Sequence, residues 1–131
     1  MTTRADRGLT ELVTSSGFEA TLAQVTGAIE AAGLTVFARI DHALGAAQVG
    51  LAMPPTVVLL YGNPKGGTPI MVAAPKAALD LPLRVLVRAV EDGTSVSFHP
   101  IAPVLLAIGV PDRLANALDP AQRLVMEAIQ P

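Results

Sequence analysis

The sequence lacks cysteine and tryptophan, and charged residues make up only 15% of its 131 positions. Without cysteine, the chain forms no disulfide, no thiolate nucleophile and no thiolate metal site. Hydrophobic residues make up 51% of the chain and aromatic residues 3%, so we expect a core of aliphatic side chains. A chain of this length buries enough surface for one such core, which predicts a single soluble domain.

Charge of either sign is scarce. Nine basic and 11 acidic residues give a net charge of -2, which is too little positive charge to neutralise a nucleic-acid backbone. We therefore expect no nucleic-acid partner. With so little charge and so many apolar residues, the chain has apolar surface to cover, and we expect a second copy to cover it in a homodimer.

Long hydrophobic runs are absent as well. The longest strongly apolar stretches, Val57–Tyr61 and Val104–Ile108, are far shorter than the roughly 20 residues that a membrane helix needs. Residues 1–8 lack the apolar segment of a secretory signal, so we expect no membrane association and a cytoplasmic location. We interpret residues 1–8 as a flexible N-terminal tail and residues 9–131 as a single α+β domain.

The first regular patterns predict a strand, a helix and a second strand. Leu9–Thr14 is predicted to be a strand, and Ser16 with Glu19 has the spacing of a capping box that starts a helix. Spacings of four, three and four residues then place four apolar side chains on one helical stripe: Phe18, Leu22, Val25 and Ile29. From Leu34 to Asp41 the period changes to two, which predicts a strand.

The middle of the chain predicts two short helices on either side of a buried strand. Asp41 is expected to cap a helix over residues 42–49. Thr56–Tyr61 has the apolar, β-branched composition of a central strand. Thr68 is interpreted as the N-cap of a third helix, which continues through Ala74.

The pair Asp92 and Gly93 predicts a β-hairpin with a two-residue type I′ turn. This turn pairs Val87 with Phe98, and we expect the side of the ribbon that carries both to pack on the first helix. The other side carries five polar or cationic residues and is expected to meet solvent or a partner: Arg84, Arg88, Ser95, Ser97 and His99. Residues 111–130 are predicted to form two further helices.

Seven short segments together resemble the domain of unknown function 302 family: Ile40-Asp41-His42-Ala43, Gly45-Ala46-Ala47, Val49-Gly50-Leu51, Gly62-Asn63-Pro64-Lys65, Gly67-Thr68-Pro69, Ala78-Leu79-Asp80-Leu81-Pro82-Leu83 and Glu91-Asp92-Gly93. The likeness covers roughly Phe18 to Phe98. It implies an α+β fold similar to a single copy of the TATA-box-binding-protein type, with a curved, mainly antiparallel sheet and helices packed on one face. It also implies a dimer, and no biochemical activity comes with it.

The sequence departs from the family pattern after the hairpin. The family continues there with a Tyr-Asn pair and later with an Arg-His-Gly run, where this chain has Phe98-His99 and Ala107-Ile108-Gly109. If those polar residues belong to a functional site in other members, this chain has lost or changed a part of that site.

Two places in the sequence are candidate ligand-binding sites. The first is Asp41 with His42, because a carboxylate beside an imidazole suits acid/base chemistry, although N-capping is the commoner role for such an aspartate. The second is a turn whose backbone N–H groups and lysine side chain suit an anion: Asn63, Lys65, Gly66, Gly67 and Thr68. A plain tight turn is the alternative there.

Other kinds of site find less support. Arg84, Arg88 and His99 form a cationic group that suits a carboxylate or phosphate, but solvated strand charges are the commoner explanation. His42 and His99 belong to no metal-ligand spacing, so we expect no metal and no other cofactor.

Three functions remain open from the sequence. The first, which we favour, is a non-enzymatic dimeric module that binds a small anionic or polar ligand between Asp41-His42 and Asn63–Thr68. The second is an enzyme that uses His42 as a general acid/base, assisted by Asp41 or Lys65. The third is a structural domain whose open sheet side binds another protein.

Overall fold

The computed structural model describes the backbone of residues 2–6 and 8–130 and the side chains of residues 8–130. Within these residues the strands are β1 (Thr2–Asp6), β2 (Leu9–Thr14), β3 (Thr35–Asp41), β4 (Thr56–Gly62), β5 (Leu83–Val90) and β6 (Gly93–Phe98). The α-helices are α1 (Phe18–Ala31), α2 (His42–Gln48), α3 (Pro64–Ala73), α4 (Ile101–Ala107), α5 (Asp112–Ala115) and α6 (Asp119–Glu127), with a 3₁₀ helix over Pro75–Asp80.

The strands form one antiparallel sheet in the order β1-β2-β6-β5-β4-β3. Strand β1 lies within residues 1–8, which the sequence predicts to be a flexible tail, and it pairs with β2 from Thr2↔Val13 to Asp6↔Leu9. This pairing satisfies backbone groups that would otherwise line the free edge of β2. The predicted α+β fold with an antiparallel sheet is confirmed.

One face of the sheet carries the core, and we call it the helix face. On this face Val57, Leu59 and Tyr61 of β4 are at most 1% exposed. Val87 and Val96 lie in the same buried cluster as three residues of the predicted stripe of α1, and Phe18 and Phe98 pack against that cluster. The predicted packing of the hairpin on the first helix is therefore confirmed. The opposite face, which we call the open face, carries the alternate residues of each strand.

The hairpin lies where the sequence predicts it, but its register differs. Val87 pairs with Val96 instead of Phe98, and the two-residue turn consists of Glu91 and Asp92. Because side chains alternate with a period of two, a register shift of two residues leaves every side chain on its predicted face. Asp92 accepts the left-handed conformation that this turn requires, with φ 64°.

Two predicted helix starts are wrong. The predicted capping box does not form, since Gly17 precedes α1 without a side-chain cap. Instead, the Thr94 hydroxyl of β6 donates to the Ser16 carbonyl over 2.8 Å, so a tertiary contact fixes this connection. Helix α3 begins at Pro64 rather than after Thr68, because Asn63 and Pro64 already supply an N-cap and a first helical position.

Strand β3 contains an irregularity that the alternating pattern does not reveal. Val36 pairs with Tyr61, whereas Ala38 pairs with Leu60, so the register shifts between them. After the shift, Ala38 lies on the open face, opposite to the face that simple alternation from Val36 predicts. The following residue on this face is Ile40, which is 43% exposed. An apolar row therefore begins on the open face.

Candidate functional site

A cavity of about 410 Å³ opens where the ends of β3, β4 and β5 meet α3 and the start of α6. We call it the apolar pocket, and its walls are formed mainly by large apolar side chains: Phe37, Leu60, Tyr61, Met71, Leu81 and Leu118. Its volume lies within the range of known small-molecule sites, about 300–1,000 Å³. Asn63 and Thr68 are polar residues in its lining.

Tyr61 fixes one wall of the apolar pocket. Its side chain is 0% exposed, and its hydroxyl donates to the Ala121 carbonyl of α6 over 2.8 Å. Burial raises the pKa of the Tyr61 hydroxyl, so the group stays neutral. This hydrogen bond joins the sheet to α6, whose Ala121 also lines the pocket.

The backbone donors in the first turn of α3 already have acceptors. The Lys65 N–H donates to Asn63 Oδ1 over 3.0 Å. The Gly66 and Gly67 N–H groups both donate to the Asn63 carbonyl, over 2.9 and 3.0 Å. Pro64 has no N–H. An anion at this turn would have to displace these bonds, so the local chemistry is that of a helix cap.

The structure distributes the predicted turn residues between the apolar pocket and solvent. Asn63, Gly67 and Thr68 line the pocket, whereas Lys65 does not and is exposed. Gly66 is not part of the lining, but a Cβ built on it would lie 3.4 Å from Cδ2 of Leu118, which is one of the pocket walls.

The Asp41-His42 candidate lies at the other end of the sheet. Asp41 pairs with Val57 near the start of β4, whereas Asn63 follows the end of β4. At roughly 3.3 Å per residue, the length of β4 separates the two places by about 20 Å. The structure does not bring the two candidates together.

Asp41 acts as the predicted N-cap, because its Oδ1 accepts a hydrogen bond from the Leu44 N–H over 2.9 Å. His42 is the first residue of α2 and lines a second cavity on the open face, with a volume of about 740 Å³. We call it the open-face cavity. Arg84, Ser97 and His99 also line it.

The predicted cationic group of the hairpin is divided by an ion pair. Arg88 lies 3.1 Å from the carboxylate of Glu11, which also accepts a hydrogen bond from the Ser95 hydroxyl over 2.5 Å. Arg84 and His99 take no part in these contacts. Among residues 8–130, no three histidine or acidic side chains come together as a metal site would require.

The sequence alone does not reveal which side chains form the walls of the apolar pocket. Phe37, Tyr61 and Met71 belong to β3, β4 and α3, and only the tertiary fold brings them around one space. One signal is present in the sequence, because Phe37 alternates in phase with the polar residues Thr35 and Arg39 although it is large and apolar. In the structure Phe37 is 51% exposed and lines the pocket.

The sequence matches the family described as domain of unknown function DUF302 over residues 11–130. The chain belongs to the DUF302 family. This result confirms the resemblance carried by the seven short segments and extends it to the C-terminal helices. A DUF302 crystal structure from Bacillus stearothermophilus has the same fold, with a TM-score of 0.81, 14% identity and coverage of 95% of this chain and 97% of that chain.

Curated relatives match a shorter part of this DUF302 protein. It is 38% identical to Fluoride-specific ion channel FluC 1 of Brucella suis biovar 1 over 89 residues, which are 68% of this chain and 34% of the relative. Fluoride-specific ion channel FluC 2 of Brucella melitensis biotype 1 matches at 38% over 89 residues, 32% of its length. The chain thus spans about a third of these relatives. In the described part of the chain, no helix has the length and apolar character needed to cross a bilayer.

Proposed function

We propose that this DUF302 protein binds a small, mainly apolar molecule in the apolar pocket. The observation that carries the proposal is a cavity of about 410 Å³ with large apolar walls. Apolar, concave and largely preformed sites of this size are typical of small-molecule binding. The chemistry of the ligand differs from the anionic or polar molecule expected from the sequence, because the N–H groups in the first turn of α3 already bind the Asn63 cap.

The few polar groups in the lining give the ligand an orientation. Asn63 and Thr68 belong to the part of the lining that α3 and its N-cap supply. A ligand with one hydroxyl or carbonyl group on an apolar body matches both the apolar walls and these polar residues. Burial of the apolar body supplies affinity, and one hydrogen bond fixes the orientation of the ligand.

Filling the pocket tests this proposal. In Gly67→Leu the new Cβ would lie 3.8 Å from Met71 Cε and 3.9 Å from Leu81 Cδ1, which is ordinary contact. The rest of the leucine side chain occupies the pocket. We expect the affinity for the uncharged probe N-phenyl-1-naphthylamine, followed by its fluorescence, to fall at least about tenfold.

The matched control is Gly27→Leu. Gly27 lies on an exposed part of α1 with no atom within 4 Å of a built Cβ, so the same substitution should leave probe binding unchanged. Thermal unfolding confirms that both variants are folded. Equal probe affinity in Gly67→Leu and the wild type would contradict the proposed site.

We also propose that the protein is a homodimer, and that β3 and the segment after it form the interface. Among the described residues, β3 pairs only with β4, so its outer edge presents backbone groups that another strand can bind. Large apolar side chains that line neither cavity follow β3 along the chain and are 41–67% exposed: Leu44, Leu51 and Met53. A second copy offers the same edge and the same side chains in a two-fold arrangement.

Light scattering coupled to size exclusion tests the dimer. Leu44 is 56% exposed within the proposed interface, and Leu79 is 88% exposed outside it. We expect Leu44→Asp to give a monomer at micromolar concentration and Leu79→Asp to keep the dimeric mass, since a buried charge opposes association at the interface alone. A monomeric wild type at the same concentration would refute the proposal.

A further inference from the structure

The open-face cavity has an apolar floor that crosses the centre of the sheet. The strand register places Ile40 beside Val58 and Val58 beside Leu86. Leu60 lies in the next row, between Ala38 and Arg84. These side chains are half-buried or exposed, and the cavity above them has a volume of about 740 Å³. The floor therefore offers apolar surface that a ligand can cover.

A cationic group stands at one side of this floor. Leu86 pairs with Ser97, and continuing the antiparallel register by two residues places Arg84 opposite His99. Both line the cavity, together with His42. Arg84 is exposed and forms no ion pair within 4.0 Å among the described residues, whereas Arg88 on the same strand is paired with Glu11.

One acidic residue also lines the open-face cavity. Asp80, at the end of the 3₁₀ helix, belongs to the lining, but its carboxylate is more than 4.0 Å from the Arg84 guanidinium, beyond ion-pair distance. The guanidinium of Arg84 thus keeps its donors available. A planar guanidinium binds a carboxylate through two parallel hydrogen bonds.

We infer that the open-face cavity is a second binding site, which takes a carboxylate with an apolar body. The apolar body lies on Ile40, Val58 and Leu86, and the carboxylate binds Arg84 next to His99. This site adjoins the apolar pocket but is lined by different residues, since the two linings share only Leu60 and Leu83 among the described residues. The inference does not depend on the proposed function.

Octanoate and 1-octanol form a matched pair of probes, because they differ only in the head group. We expect isothermal titration calorimetry to show octanoate binding at least about tenfold more tightly than 1-octanol, the difference that one desolvated ion pair provides. Arg84→Gln should abolish this preference. The control is Arg39→Gln, which removes the same charge from the helix face, where Arg39 pairs with Leu59. It should leave octanoate binding unchanged.

Three results would overturn the inference. The first is the absence of octanoate binding, and the second is equal affinity for octanoate in Arg84→Gln and the wild type. The third is loss of octanoate binding in Gly67→Leu alone, which would place octanoate in the apolar pocket. That third result leaves the proposed function intact, so the two proposals fail separately.

Discussion

Replacing Gly93 by alanine is expected to lower the free energy of unfolding by about 3 kcal/mol or more. A Cβ built on Gly93 overlaps the Thr14 carbonyl oxygen and lies 3.1 Å from the Thr14 carbonyl carbon and 3.3 Å from Ser15 Cα. These are backbone atoms, and they cannot rotate away as the end of a flexible side chain can. The pairing of Thr14 with Thr94 holds them in place. The methyl group therefore has to push β2 away from β6.

Gly27→Ala is the control for the Gly93 variant. A Cβ at this exposed position of α1 meets no atom within 4 Å, so alanine should stabilise the helix by about 0.5–1 kcal/mol. Urea unfolding of the two variants and the wild type gives the comparison. An unfolding midpoint of Gly93→Ala at or above that of the wild type would show that Thr14 does not cross Gly93 as described.

The same contact explains why the hairpin register is not predictable from the local sequence. Asp92 and Gly93 match a type I′ turn by their own preferences. In the structure Gly93 is the first residue of β6, and the approach of Thr14 requires the absence of a side chain there. Thr14 is 79 positions away in sequence, so no local pattern contains this constraint. The faces of the hairpin were nevertheless predictable, because apolar alternation fixes them independently of the turn.

The candidate site was predictable only in part, because local motifs reveal some of its residues but not the contacts made by the fold. Asn63, Gly67 and Thr68 stand out as turn and cap residues, and they line the apolar pocket. The ligand chemistry was not predictable, because it depends on which N–H groups the Asn63 cap already uses. Local motifs locate the start of a helix, whereas the folded structure determines which N–H groups and which apolar surfaces are free to contact a ligand.

Replacing Gln122 by leucine is expected to lower the free energy of unfolding by about 3 kcal/mol. Gln122 of α6 is 4% exposed. Its Oε1 accepts a hydrogen bond from the Ile101 N–H over 2.9 Å, and its Nε2 donates to the His99 carbonyl over 3.0 Å. Leucine has a similar size but leaves both backbone groups without this partner. The Ile101 contact is buried, so water does not readily replace it.

Helix α6, which Gln122 holds by these two hydrogen bonds, supplies lining residues to both cavities. Gln122 lines the open-face cavity, and its neighbour Ala121 lines the apolar pocket and accepts the Tyr61 hydroxyl bond. Gln24→Leu, at an exposed position of α1, is the matched control and should change stability by less than about 0.5 kcal/mol in urea unfolding. If the two leucine variants unfold at the same urea concentration, the bridge from α6 to the end of β6 contributes nothing. If only Gln122→Leu is destabilised, this polar bridge holds α6, and with it one wall of each cavity, against the sheet.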